Sequence, residues 1–119
     1  MSTSPGAAAE NIAAAWLQRR GLRLLTRNFR CKAGEIDLVL EDGDQLVFAE
    51  VRYRSGKAFG GAAASIDAKK RQRIITTARY YLMENLRGKP ERACRFDVIV
   101  LDRLDPAAVE WLRDAFGET

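Results

Sequence analysis

The chain has 119 residues, 47% of them hydrophobic and 30% charged, with a formal net charge of +4. That length suits one domain over residues 1–119 and excludes a cofactor domain beside a substrate domain. There is no histidine, which removes Ser-His-Asp and Cys-His nucleophiles, the H-E-x-x-H zinc helix and histidine-based nucleases, and leaves carboxylates, Lys, Arg and Tyr to carry any catalysis.

Ser4-Pro5 reads as an N-cap followed by proline in the first helical turn, and Gly21 as a stop, which predicts a helix over about 5–20. Ala9, Ile12, Ala13, Trp16 and Leu17 fall on one face of it, with Glu10 at the edge of that stripe. Leu22 to Arg30 is short and contains Thr26 and Asn28, so it reads as a strand.

Residues 34–54 then read as a β-hairpin, with arms Ile36–Leu40 and Leu46–Tyr53 around the turn signal Asp42-Gly43. A two-residue loop at Asp42 and Gly43 pairs Glu41 with Asp44, sets Asp37 opposite Phe48 and Glu35 opposite Glu50, and sends Glu35, Asp37, Glu50 and Arg52 to one side. Alternation by itself favours a solvated face of a half-buried hairpin. Like charges facing each other on a ladder nevertheless call for a compensating cation, and a hard divalent metal with oxygen ligands is the simplest one.

Gly56, Gly60 and Gly61 predict a mobile loop over Arg54 to Ala64. Ser65 would cap a long helix from Ile66 to Leu86, whose first turns carry Lys69, Lys70, Arg71 and Arg73. Phe96–Leu101 reads as a buried strand in parallel pairing, and Pro106 as the start of a last helix through Trp111 and Phe116. The order is αβββαβα, an α/β domain with a mixed central sheet flanked by helices.

No apolar run approaches the roughly 18 residues of a membrane span, and the Ala-rich start lacks the basic region of a signal peptide, so no membrane partner is expected and the chain reads as cytoplasmic. Cys31 and Cys94 have no zinc spacing and read as buried thiols. The positive charge, with a pI near 9.4, modestly favours a polyanionic partner. Trp16, Trp111, Tyr81 and Phe96 sit among apolar positions and read as core, whereas Tyr53 and Phe59 flank the predicted loop and are better placed for stacking on bases.

That element order, with Asp37 followed by Glu50-Val51-Arg52, resembles the restriction-endonuclease-like superfamily, whose signature is an acidic residue and then (D/E)-x-K. Glu10, Arg27-Asn28-Phe29-Arg30, Gly34-Glu35-Ile36-Asp37, Val47 to Arg52, Lys69, Arg95-Phe96-Asp97-Val98 and Ala115-Phe116 together resemble the bacterial YraN-like family. The hairpin is also similar to that of archaeal Holliday-junction resolvases. The resemblance implies a nucleic-acid-binding protein, acting on DNA or RNA, and a Mg²⁺- or Mn²⁺-dependent endonuclease of structured or branched DNA. It implies Asp37 and Glu50 as metal ligands, with the Val51 carbonyl and Glu10 as further ligands, and two-fold symmetric junctions would suit a homodimer.

Arg52 stands where the superfamily has lysine. A guanidinium stays charged, so it can position water or neutralise phosphate but cannot act as a general base. Cleavage then requires the metal to supply hydroxide, or Lys57 or Lys69 to substitute; the alternative is a non-catalytic binding or adaptor module. By default the cluster Lys69, Lys70, Arg71 and Arg73 is a solvated helix face; with Lys57, Lys69, Lys70 and Arg73 it is also the candidate nucleic-acid surface. Asp97 would pair with a nearby Arg across the sheet.

Overall fold

The computed structural model describes residues 4–54 and 66–117. Helix α1 (Pro5–Arg19) starts as expected: the Ser4 hydroxyl accepts the Ala7 N–H and proline occupies the first turn. Strands β1 (Arg23–Cys31), β2 (Gly34–Asp42) and β3 (Gln45–Tyr53) form an antiparallel meander. Helix α2 (Ala68–Asn85) then crosses over to β4 (Cys94–Leu101), which lies parallel to β3. The spatial order is β1-β2-β3-β4-β5, with β5 (Glu110–Phe116) antiparallel to β4 at the far edge.

Each face of the mixed sheet carries its own core. Ala9, Ala13 and Leu17 of α1 pack on Leu38, Leu40, Val47, Ala49, Ile99 and Leu101, while Ile74, Ile75, Ala78 and Tyr81 of α2 pack on Val39, Leu46, Phe48, Phe96 and Val98. Phe48, Leu38 and Leu17 are fully buried. The aromatic residues expected in the core are there: Trp16 meets Trp111 edge-on, and Phe96 stacks between Phe48 and Phe116.

The order αβββαβ is the one expected, but the last element is a strand and not a helix. Pro106 opens only one 3₁₀ turn (Pro106–Ala108), capped by the Asp105 carboxylate on the Ala107 N–H, after which Val109 is extended. The residues that follow pair with β4 and are anchored by the fully buried Asp97, whose carboxylate accepts the Trp111 indole N–H at 2.9 Å and the Asp114 N–H at 2.9 Å. Asp114 sits at φ 50, where the register with β4 shifts. The helix propensity of Glu110 to Phe116 is thus overridden by tertiary hydrogen bonds and by a β4 edge that would otherwise be open.

Asp97 takes Arg95 on its own strand, at 3.1 Å, and not an Arg across the sheet. Arg95 in turn donates to Asp42 at 2.8 Å and to Gln45 at 2.9 Å. That grip accounts for the hairpin register. Asp42 pairs with Gln45, the turn is Gly43-Asp44 with Gly43 at φ 58, and Leu38 pairs with Ala49. The turn is one residue later than Asp42-Gly43, so the register moves by two and the facing of each side chain is preserved. Neither Phe48 opposite Asp37 nor Glu50 opposite Glu35 holds; Phe48 pairs with Val39, and Glu35 pairs with Arg30 of β1. Helix α2 is capped by Asp67, which accepts the Lys70 N–H at 2.9 Å; Ser65 and nearly all of the predicted loop lie outside the described residues.

Candidate metal and nucleic-acid site

The pairing of β2 with β3 runs from Asp42–Gln45 to Leu38–Ala49 and stops. The next level would bring Asp37 opposite Glu50. There the strands are joined by side chains instead: the Asp37 N–H donates to Glu50 Oε2 at 3.1 Å, and the Val51 N–H donates to Asp37 Oδ2 at 2.8 Å. The alternation of β2 also breaks at this level, since Leu38 lies in the α1-side core and Ile36 in the α2-side core. Two carboxylates therefore fill a split in the sheet, each bound to a backbone donor of the other strand.

This split opens into a cleft of about 420 Å³ between the first turns of both helices. Gly6, Ala9 and Glu10 come from α1, Lys70, Arg73 and Ile74 from α2, and Gly34, Glu35, Arg52 and Tyr53 from the sheet. The structure thus gathers Glu10, Asp37, Glu50, Val51, Arg52, Lys70 and Arg73 into one place. Lys69 falls outside the cleft, in a neighbouring depression with Ala33, Gln72 and Thr76. Of the two lysines suggested as substitutes for the missing one, Lys69 is therefore on the wrong side of the helix; Lys57 and Phe59 lie outside the described residues. Lys70 is the lysine of α2 that reaches the cleft.

Glu50 is only 4% exposed, which removes the solvated-face reading for it. Burial, reinforced by the charge of Asp37, pushes its carboxyl up to about 8. Burial also raises Asp37, although the Val51 N–H favours its ionised form. Burial thus disfavours the ionised form of both carboxyls, and the charge of Asp37 disfavours that of Glu50 further. Arg52 favours the ionised form of both, and Lys70 that of Glu50. The Arg52 Nε is buried and has no hydrogen-bond partner.

Glu10 and Glu35 are held differently. Glu10 lies 3.7 Å from Arg27, and Glu35 takes Arg30 Nε at 2.8 Å. One end of the Asn28 amide lies 3.1 Å from Glu10 Oε1 and 3.0 Å from Glu35 Oε1; assigned as the nitrogen, the orientation that satisfies both carboxylates, it donates to each. Among the described residues no group of three or more acidic or Cys side chains comes together as a metal-binding set.

The donor chemistry nevertheless fits a hard cation at the pair. Asp37 and Glu50 each spend one oxygen on a backbone N–H, which leaves one oxygen each, and Mg²⁺ commonly keeps several waters beside one or two carboxylates. Asn28 and Gly34 are the site residues that pattern reasoning did not single out. Asn28 had a signal, being a poor strand former able to adopt positive φ. Gly34 has φ 153, and a Cβ there would lie 3.2 Å from Thr77 Oγ1 on α2, so the strand approaches the helix as closely as glycine allows.

Comparison with known proteins identifies a family. Residues 9–101 match the model of the uncharacterised protein family UPF0102. The chain belongs to this family. It is 50% identical over 116 residues to the UPF0102 protein of Dechloromonas aromatica, covering 98% of this chain and 91% of that one. To the UPF0102 protein of Nitrosomonas europaea it is 48% identical over 114 residues, covering 96% and 94%, and to that of Aeromonas hydrophila 46% over 113 residues, covering 95% and 85%. The YraN-like resemblance of the motifs is thus a family membership, and the match includes Glu10, Asp37, Glu50 and Lys70. Among the described residues no helix is long and apolar enough to cross a membrane.

Proposed function

We propose that this UPF0102 protein binds nucleic acid in the cleft and, with Mg²⁺ or Mn²⁺, hydrolyses phosphodiester bonds as an endonuclease of structured or branched DNA, in the cytoplasm. The observation that carries this reading is the Asp37–Glu50 pair: a buried and a half-buried carboxyl, each accepting a backbone N–H of the other strand at the point where β2 and β3 part, in a cleft with Arg52, Lys70 and Arg73. Asp37 and Glu50 would hold the cation, with the Val51 carbonyl as a further donor. A bound cation supplies charge to the scissile phosphate and lowers the pKa of a water. Arg52 neutralises phosphate and orients water, and Lys70 and Arg73 draw the backbone in from the α2 side. A two-fold symmetric branched substrate would suit two copies of the chain.

One observation favours a second reading, a non-catalytic nucleic-acid-binding or adaptor module. The position after Glu50-Val51 is arginine, and a guanidinium cannot exchange the proton that a lysine could. Cleavage of branched, nicked, single-stranded and duplex DNA with Mg²⁺ or Mn²⁺, beside Asp37→Ala and Glu50→Ala, separates the two. Cleavage lost in both variants supports the enzyme. No cleavage under any condition, with binding insensitive to either substitution, overturns it, and salt-dependent binding would then support the module.

A further inference from the structure

The register of the sheet puts a third residue level with the pair. Arg27 pairs with Leu38 and Phe29 with Ile36, so Asn28 of β1 stands opposite Asp37 of β2, as Asp37 stands opposite Glu50 of β3. Asn28 does not take part as a strand residue: its φ is 53. Asparagine is among the few side chains that enter this region readily, and a non-glycine residue there points to a local requirement. What the conformation achieves is visible in the contacts. One atom of the amide faces both Glu10 Oε1 on α1, at 3.1 Å, and Glu35 Oε1 on β2, at 3.0 Å, and facing two carboxylate acceptors it is assigned as the nitrogen. Its neighbours Arg27 and Arg30 hold the same two carboxylates.

We propose that Asn28 is a positioning residue of the site: its amide, donated to Glu10 and Glu35, draws both carboxylates toward β1 and away from the Asp37–Glu50 pair, so that a cation there is held by two protein carboxylates and not four. This rests on the cation reading of the pair. Four free carboxylates around one small space would favour a larger, less discriminating set of ligands. A pair with water in the remaining positions keeps room for a phosphate oxygen.

Asn28→Gly removes the amide and leaves the positive φ without strain, so loss of the contact is separated from loss of the backbone shape. The first measurement needs no metal. The Asn28 side-chain amide resonances of the wild type should lie downfield and move in both Glu10→Gln and Glu35→Gln; resonances that neither substitution moves overturn the proposal. The second is a double-mutant cycle on Mn²⁺ affinity. Glu10→Gln should weaken Mn²⁺ binding at least threefold more in the Asn28→Gly background than in the wild type, because only there is Glu10 free to join the pair. An equal effect in both backgrounds overturns the proposal. A wild type that binds no Mn²⁺ overturns the cation reading itself, and with it the limit on the number of carboxylate ligands, whereas the amide resonances still decide whether Asn28 holds the two carboxylates.

Discussion

Glu50→Gln is expected to stabilise the protein, and to do so more as the pH rises. The carboxyl is ordinarily ionised above about 4.5 and is pushed up to about 8 by burial and by Asp37. In the unfolded chain it loses its proton near 4.5, while the folded chain keeps it until about 8. The folded state therefore binds more protons across that window, and stability falls with rising pH between those limits and levels off above them. At about 1.36 kcal/mol per pH unit the loss is on the order of 3 kcal/mol at pH 7 and 4–5 kcal/mol above pH 8. Glutamine keeps an oxygen for the Asp37 N–H and carries no charge to desolvate, so it escapes this loss. At several degrees of Tm per kcal/mol for a chain of this size, the variant should melt roughly 10 °C above the wild type at pH 7 and level with it near pH 4.5.

Thermal and urea denaturation across pH 4.5–9 measures the difference. Mg²⁺ adds a second reading: it should raise the Tm of the wild type by binding the ionised pair and leave Glu50→Gln nearly unmoved. A variant no more stable than the wild type at pH 7, or a gain that does not depend on pH, would refute the desolvated carboxyl. Equal stabilisation of both proteins by Mg²⁺ would refute the pair as the place where the cation binds.

Three further outcomes follow from named contacts. Asp97→Ala deprives the buried Arg95 of one partner and frees Trp111 and the Asp114 N–H; it should cost about 3 kcal/mol in denaturant unfolding and speed amide exchange throughout β5. Gly34→Ala places a Cβ 3.2 Å from Thr77 Oγ1 at φ 153, and should destabilise by about 1–3 kcal/mol while shifting the α2 wall of the cleft. Lys70→Met should lower the slope of DNA affinity against salt by about one counterion, and Lys69→Met by less, because only Lys70 lines the cleft with the pair; equal slopes in fluorescence anisotropy would remove the distinction.

Local pattern was enough for much of the architecture and for the heart of the site. Ser4-Pro5, the two strands of the hairpin and the apolar face of α2 each depend on neighbours a few residues away, and each is found where expected. Asp37 and Glu50 meet because a turn displaced by one residue moves the register by two, which brings them level across β2 and β3. What was illegible depends on distant partners. The turn position is set by Arg95, which reaches back from β4 to Asp42 and Gln45. The final strand depends on Asp97, and the restraint of Glu10 on Asn28, each a partner outside the stretch of sequence it acts on. The choice between Lys69 and Lys70 turned on the rotational setting of α2, fixed by the Asp67 cap and by Arg71, whose Nε donates to the Ile66 carbonyl.

The burial of Glu50 bears on why the pair is there at all. A solvated hairpin face would leave the carboxylates in water, where they cost little, and Glu50 is not in water. The remaining structural role, accepting the N–H groups of Asp37 and Val51 where the strands part, needs only a neutral oxygen. Asparagine, glutamine or serine would supply it without the loss of several kcal/mol that an ionised pair carries. Continuing the ladder by one more rung would satisfy the same donors with no side chain involved. Ionisable groups are thus more than these hydrogen bonds require, and their surroundings disfavour the ionised form. On the proposed reading a cation would remove both discrepancies, since it would bind only the ionised form and offset the burial and repulsion that raise the two carboxyls.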